Sequence, residues 1–241
     1  MYSNCILSHT STSMLNNLDS SNHQSISTQD IVDEILDYHP HEERLNALTH
    51  GLAAFAAVIA TLLLCIEASA LSLGAGFTML VYGLSMVLLF SASTLYHGAT
   101  TMERRAWLKK LDHTAIYYLI AGTYTPFLAL YIPTPKAKIL LVALWSIAFL
   151  GTLFKLYFIE RFKALSLIAY LAMGWLAVFV IDDMRTYLST LSLQLLILGG
   201  VFYTVGTIFY AMKKYTYTHV IWHLFVMLGA LAHFFAIWVM L

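Results

Sequence analysis

Seven long apolar runs, separated by short polar gaps, dominate this chain of 241 residues. They cover approximately residues 47–66, 73–96, 114–131, 139–157, 165–181, 191–212 and 219–241. A bilayer core about 30 Å thick requires roughly 20 apolar residues in a helix, and the runs approach that length. They lack the alternation over about ten residues that marks the strands of an outer-membrane barrel. The sequence therefore predicts an all-α polytopic membrane protein, a bundle of seven transmembrane helices.

Composition supports the membrane class and limits the partners. Hydrophobic residues make up 60% of the chain and charged residues only 11%, whereas soluble domains average about 25% charged residues. So few charges could not cover a surface that faces water. The formal net charge is zero, which gives no electrostatic reason for a nucleic-acid partner. We expect membrane lipids as the partners.

The first 40 residues differ from the rest of the chain. The stretch 11–29 is rich in Ser, Thr, Asn and Gln, so residues 1–40 are predicted to form a disordered polar tail. The run DIVDEILDY predicts a short amphipathic helix near residues 30–38, which Pro40 would end. The tail lacks the basic region and following apolar core that mark a secretory signal peptide, so it is not predicted to be one. Residues 41–241 then form a single membrane domain.

Lysine and arginine residues are distributed unevenly between the two sides of the predicted bundle. The N-terminal flank and the second, fourth and sixth loops hold ten of them, and the opposite side holds three. Cytoplasmic loops carry the excess of positive charge in membrane proteins. The distribution therefore predicts a cytoplasmic N-terminus and an external C-terminus.

In this topology, five polar residues on three different helices meet at the cytoplasmic edge of the hydrocarbon. Ser93 and His97 end the second helix, Asp112 begins the third, and His219 and His223 begin the seventh. Polar and ionisable groups at this depth are costly, so their presence suggests a function. The convergence depends on the number of spans being correct.

These residues have the makings of a metal site. His219 and His223 are four residues apart and share a helix face, so they can bind one ion together with His97. Three imidazoles suit zinc, which in catalytic sites leaves one position for a water whose pKa falls to about 7. Asp112 would orient that water or accept its proton, and Ser93 would donate a hydrogen bond to a developing oxyanion. The substrate would be a lipid amide or ester.

Other interpretations of the same residues stay open. A metal could tie the second and seventh helices together without any turnover. Two of the histidines could instead bind a haem, and iron, cobalt or manganese accept the same ligands as zinc. Glu43, Asn46 and His50, on the first helix, are interpreted as a polar helix start, the alternative being that they line the same cavity. His233 lies about 21 Å further along its helix than the first metal-site histidine, and we predict that it forms an interhelical hydrogen bond.

Five motifs carry a resemblance to a known family: ERLNALTH at 43–50, SASTLYH at 91–97, LDHTAIY at 111–117, AGTYTP at 121–126 and HVIWHLFV at 219–226. With these motifs the chain resembles the haemolysin III family, the bacterial branch of the progestin and adipoQ receptor group. The resemblance implies seven helices in a bacterial inner membrane and a zinc ion near the cytoplasmic face. It further implies zinc ligands at His97, His219 and His223, with Ser93 and Asp112 close to the metal.

The resemblance implies three different activities. Some members of the wider group look like zinc-dependent lipid amidases, which favours hydrolysis within the membrane. Links to membrane fluidity favour a non-catalytic receptor or sensor in membrane-lipid homeostasis, in which zinc would be structural. The name of the family suggests a pore-forming cytolysin, although polar stripes along whole spans are not evident. The hydrolase is the activity we expect.

Overall fold

The computed structural model describes residues 38–158, 163–212 and 214–241, and these residues form helices and short connections, without strands. The α-helices are α1 (Pro40–Leu71), α2 (Leu73–His97), α3 (Met102–Pro126), α4 (Pro135–Phe158), α5 (Lys163–Gly174), α6 (Ile181–Tyr187), α7 (Thr190–Ala211) and α8 (Thr218–Trp238). A π-helical turn, Phe127–Tyr131, extends α3, and a 3₁₀ segment, Trp175–Val180, joins α5 to α6. Seven continuous helical stretches thus occupy the positions of the seven apolar runs. The predicted tail and its amphipathic helix lie outside the described residues, except for residues 38–40.

Local sequence explains where the first helices begin and end. Proline occupies the first position of α1, where its fixed backbone angle suits a helix and its missing N–H costs nothing. A single extended residue, Ser72, separates α1 from α2, and its hydroxyl accepts a hydrogen bond of 3.0 Å from the N–H of Ala75. This cap satisfies one free N–H at the start of α2. The chain therefore reverses direction over one residue, and α1 and α2 form an antiparallel hairpin.

Six of the seven stretches are long and apolar enough to cross a membrane. Their outward faces carry large apolar side chains, such as Leu73, Ile139 and Phe179, which are 87%, 70% and 75% exposed. An apolar surface of this extent matches hydrocarbon and not water. The chain is accordingly an integral membrane protein.

The third stretch differs because charged residues crowd its start: Glu103, Arg104, Arg105, Lys109, Lys110 and Asp112. Its apolar half is the most enclosed part of the bundle, since α3 packs against α2, α4 and α5. Ala115, Ala121 and Phe127 are completely buried there. A helix surrounded by other helices does not face lipid, so it tolerates a more polar sequence than its neighbours.

Helix packing gathers four helix ends at one end of the bundle. α1 packs against α2 and α8, α2 also packs against α3, and α8 also packs against α7. The starts of α1, α3 and α8 therefore lie beside the end of α2. The polar residues that the sequence singles out occupy these four helix ends.

Candidate metal centre

Three buried histidines converge where α2 ends and α8 begins. His97 is the last residue of α2, and His219 and His223 occupy the first two turns of α8. One ligand atom from each ring lies within 4.8 Å of the others, and all three side chains are buried. Imidazole nitrogens at this spacing could hold a single metal ion. The three histidines predicted to act together are thus brought together.

The His97 ring is oriented by a carboxylate. Its Nδ1 lies 2.5 Å from Oε2 of Glu43, on the first turn of α1. Its Nε2 is buried and lacks a hydrogen-bond partner within the described part of the chain. A proton on Nδ1, donated to the carboxylate, leaves the lone pair of Nε2 for a metal. Metal-binding histidines commonly have this arrangement, so the orphaned nitrogen fits a bound ion.

The same carboxylate binds a buried arginine. Oε1 of Glu43 accepts a hydrogen bond from Nη2 of Arg105, which comes from the start of α3. The Nη1 of that arginine donates to the carbonyl of Tyr96 at 3.3 Å, and its guanidinium lies 4.6 Å from the centre of the Tyr96 ring. Because Glu43 and Arg105 are both buried, each charge is compensated by the other, and either one alone would be strongly destabilising. The carboxylate therefore connects α1, α2 and α3 around the histidines.

The two histidines of α8 have oxygen neighbours as well. The Tyr38 hydroxyl lies 2.9 Å from Nδ1 of His219, and the two rings stack with centroids 4.6 Å apart. The Thr49 hydroxyl oxygen lies 3.3 Å from Nδ1 of His223. In all three rings Nδ1 thus faces an oxygen, and this common pattern favours Nε2 as the metal-binding atom.

A fourth histidine lies against this group. The His50 ring stacks on His223, with centroids 3.5 Å apart and planes 8° from parallel. Both nitrogens of His50 and the side-chain amide of Asn46 are buried without hydrogen-bond partners among the described residues. The interpretation of Glu43, Asn46 and His50 as an ordinary polar helix start was wrong, because all three face inward. Their spacing, three and seven residues along one helix, was the signal that could have indicated this.

Ser93 and Asp112 line the same cavity as His219 and His223. Ser93 is buried on α2, one turn before His97, and the Asp112 side chain is 15% exposed. Asp112 Oδ2 lies 3.8 Å from Nδ1 of His113, which is itself 2.7 Å from the carbonyl of Lys109 on the same helix. The serine and the aspartate predicted to accompany the metal therefore lie in the wall of the cavity that His219 and His223 also line.

The cavity has a volume of about 200 Å³ and extends deep into the bundle. From the histidines it passes Tyr203 and His233 and reaches Met184 and Leu193, at the opposite end of the helices. Apolar side chains make up most of its wall beyond the histidines. A narrow apolar space with polar groups at one end suits a hydrocarbon chain with a polar head.

Comparisons with known proteins agree with this architecture. The sequence profile of the family described as "Haemolysin-III related" matches residues 38–234. The chain is 42% identical over 199 residues to "Hemolysin-3 homolog" of Bacillus subtilis (strain 168), covering 81% of this chain and 92% of that protein. It is 41% identical to "Hemolysin-3" of Bacillus cereus, covering 81% and 90%. It is 30% identical over 212 residues to "Monocyte to macrophage differentiation factor" of Homo sapiens, covering 82% and 84%.

Proposed function

Because this chain belongs to the haemolysin-III-related family and its buried histidines open onto a deep apolar cavity, we propose that it is a zinc-dependent hydrolase of a lipid amide or ester. The observation that carries the proposal is the convergence of three histidine ligand atoms within 4.8 Å. Three imidazoles are the donor set of many catalytic zinc sites. The orphaned Nε2 of His97 supports the same conclusion.

In this proposal His97, His219 and His223 would hold the metal, which would supply a water acidic enough to act as a nucleophile at neutral pH. Asp112, in the cavity wall, orients the attacking water and accepts its proton. Ser93 donates a hydrogen bond to the carbonyl oxygen of the substrate as negative charge develops on it. The cavity holds the acyl chain and excludes bulk water. Hydrolysis then yields a carboxylic acid and an amine or an alcohol.

The proposal includes a membrane topology and a location. All seven helical stretches span the bacterial inner membrane, the N-terminus is cytoplasmic and the C-terminus is external. The metal centre then faces the inner leaflet, from which the lipid enters. Reporter fusions after residue 241, on the external side, and within the loop at residues 98–101, on the cytoplasmic side, test the two sides independently. Membrane lipids are the proposed partners, and a nucleic acid is not among them.

A second candidate function is a receptor or sensor in which zinc is structural. The observation that favours it is that the three histidines come from two helices: His97 lies on α2, and His219 and His223 lie on α8. A metal there ties two helices together whether or not any turnover occurs. The Bacillus relatives are named hemolysins, but a mainly apolar cavity offers no path for water or ions, so a pore ranks last.

Metal content decides whether the site exists. Mass spectrometry of the purified protein should find about one zinc per chain, and a His219→Ala/His223→Ala variant that remains folded should lose it. Absence of metal from wild-type protein kept away from chelators would overturn the proposal.

Turnover separates the hydrolase from the sensor. We expect purified protein to hydrolyse a ceramide or a phospholipid ester in mixed micelles. Asp112→Asn should keep its zinc and lose at least about 100-fold in rate, which is within the range of general acid–base catalysis. Zinc binding with no turnover on any amide or ester lipid would favour the sensor.

A further inference from the structure

A second group of buried polar atoms lies deeper in the bundle than the metal centre. It consists of the hydroxyls of Tyr82 on α2 and Tyr203 on α7, and Nδ1 of His233 on α8. None of these three atoms has a hydrogen-bond partner within the described part of the chain. Buried polar atoms are nearly always hydrogen-bonded, and hydrocarbon offers them no bulk water. Three such atoms in one place indicate a missing polar partner.

The three side chains lie beside one another. The rings of Tyr203 and His233 have centroids 5.4 Å apart. Tyr82 and Tyr203 are near enough to interact electrostatically. Tyr203 and His233 both line the cavity that begins at the metal centre. A ligand that fills the cavity therefore passes directly across this polar group.

Two glycines make room for the polar rings. A Cβ atom at Gly199 of α7 would lie 2.3 Å from the ring of His233, and one at Gly229 of α8 would lie 2.8 Å from the ring of Tyr203. Real side chains do not approach so closely, so each ring occupies space that a glycine on the facing helix leaves. The rings are thus held by packing and cannot shift freely to satisfy one another.

The hydrogen-bonding capacity of the group defines the missing partner. Nε2 of His233 lies 3.1 Å from the carbonyl of Leu196 and donates its proton there, as predicted for an interhelical histidine. Nδ1 of the neutral ring can then only accept, whereas each tyrosine hydroxyl can donate and accept. A hydroxyl group satisfies both at once, because it donates to His233 and accepts from a tyrosine. A ketone or an ether could only accept.

We propose that the cavity is specific for a lipid chain that carries a hydroxyl group, and that Tyr203 and His233, which line the cavity, bind this hydroxyl. His233 lies ten residues beyond His223 on α8, so the subsite is about 15 Å from the metal centre, roughly twelve carbons along an extended chain. The inference rests on the proposed function to the extent that the lipid head lies at the metal and its chain in the cavity.

Competition binding in nanodiscs of saturated phosphatidylcholine tests the subsite. Radiolabelled octadecanoic acid is displaced by unlabelled octadecanoic acid or by its 2-hydroxy and 12-hydroxy derivatives. We expect the 12-hydroxy acid to bind wild-type protein about fivefold to tenfold more tightly than the other two, in line with one buried hydrogen bond. Tyr203→Phe should abolish this preference and leave the affinity for octadecanoic acid unchanged.

Tyr131→Phe is the matched control. Tyr131 also has a buried hydroxyl without a partner among the described residues, but it does not line the cavity. It should keep the preference for the 12-hydroxy acid. Equal binding of all three acids, or a preference that survives in Tyr203→Phe, would overturn the subsite while leaving the proposed hydrolase intact. Failure of wild-type protein to bind any of the acids would overturn the acyl cavity itself, and the subsite with it.

Discussion

Oε2 of Glu43 lies 2.5 Å from Nδ1 of His97, and this contact joins the first turn of α1 to the last residue of α2. The carboxylate holds a proton on Nδ1 and makes Nε2 a better ligand. We expect Glu43→Gln to lower the affinity for zinc by about 10-fold to 100-fold, as is typical when an outer partner of a ligand is replaced. Titration against a chromophoric chelator measures the change.

Glu67→Gln is the control for this prediction. Glu67 is an exposed carboxylate near the other end of the same helix, and its replacement should leave the affinity for zinc unchanged. If Glu43→Gln binds zinc as tightly as wild type while His97→Ala loses its zinc, the Glu43 carboxylate does not orient His97.

Arg105 compensates the buried charge of Glu43. Arg105→Met leaves the carboxylate uncompensated in an apolar environment, which typically costs about 3–5 kcal/mol. We expect a clearly lower unfolding midpoint in mild detergent. Adding Glu43→Gln to that variant should restore part of the loss, because the two residues are coupled. Arg104→Met, at an exposed position one residue earlier, should change little; an equal loss in both variants would contradict a specific role for Arg105.

His50 is expected to support the metal centre through packing. Its ring stacks on His223, but the group of converging ligand atoms found among the described residues comprises His97, His219 and His223 without it. His50→Phe preserves a flat ring and should therefore keep about one zinc per chain, whereas His223→Ala should lose it. Mass spectrometry of both purified variants provides the comparison. Loss of zinc from a folded His50→Phe variant would instead make His50 a ligand.

Hydrophobicity predicted the positions of the helices well and their ends poorly. The first apolar run begins near residue 47, but α1 begins at Pro40, and the third run begins near residue 114, but α3 begins at Met102. Hydropathy detects only the part of a helix that suits hydrocarbon, whereas backbone hydrogen bonds continue into the polar flanks. The third span remains a prediction, because length and composition identify six of the seven helical stretches as spans. The orientation of the termini also remains a prediction.

The histidines of the candidate site could be predicted from sequence because spacing along one helix fixes which face a residue occupies. His219 and His223 share a face on that ground alone. The ion pair of Glu43 and Arg105 could not be predicted in this way, because it depends on how α1 and α3 meet. The charge distribution that predicts topology counts Arg105 equally whether it is buried or exposed, so it gives no indication of the contact with Glu43.

The close packing of α7 against α8 gives the last prediction. Gly199→Ala places a methyl group 2.3 Å from the His233 ring and 3.0 Å from the carbonyl oxygen of Gly229, and backbone cannot yield easily. Overpacking of this kind costs about 1–3 kcal/mol, which outweighs the gain of roughly 0.5–1 kcal/mol from replacing a glycine within a helix. We expect a lower unfolding midpoint, measured by thermal denaturation in detergent.

Gly200→Ala, one residue further along α7, separates this clash from a general effect of alanine. A Cβ atom there meets no heavy atom within 4 Å, so the variant should be as stable as wild type or slightly more stable. Removing the obstructing ring should also suppress the defect, so that Gly199→Ala/His233→Ala is little less stable than His233→Ala alone. Equal midpoints for Gly199→Ala and Gly200→Ala would mean that the His233 ring moves at no cost. The rigidity on which the hydroxyl subsite depends would then be absent.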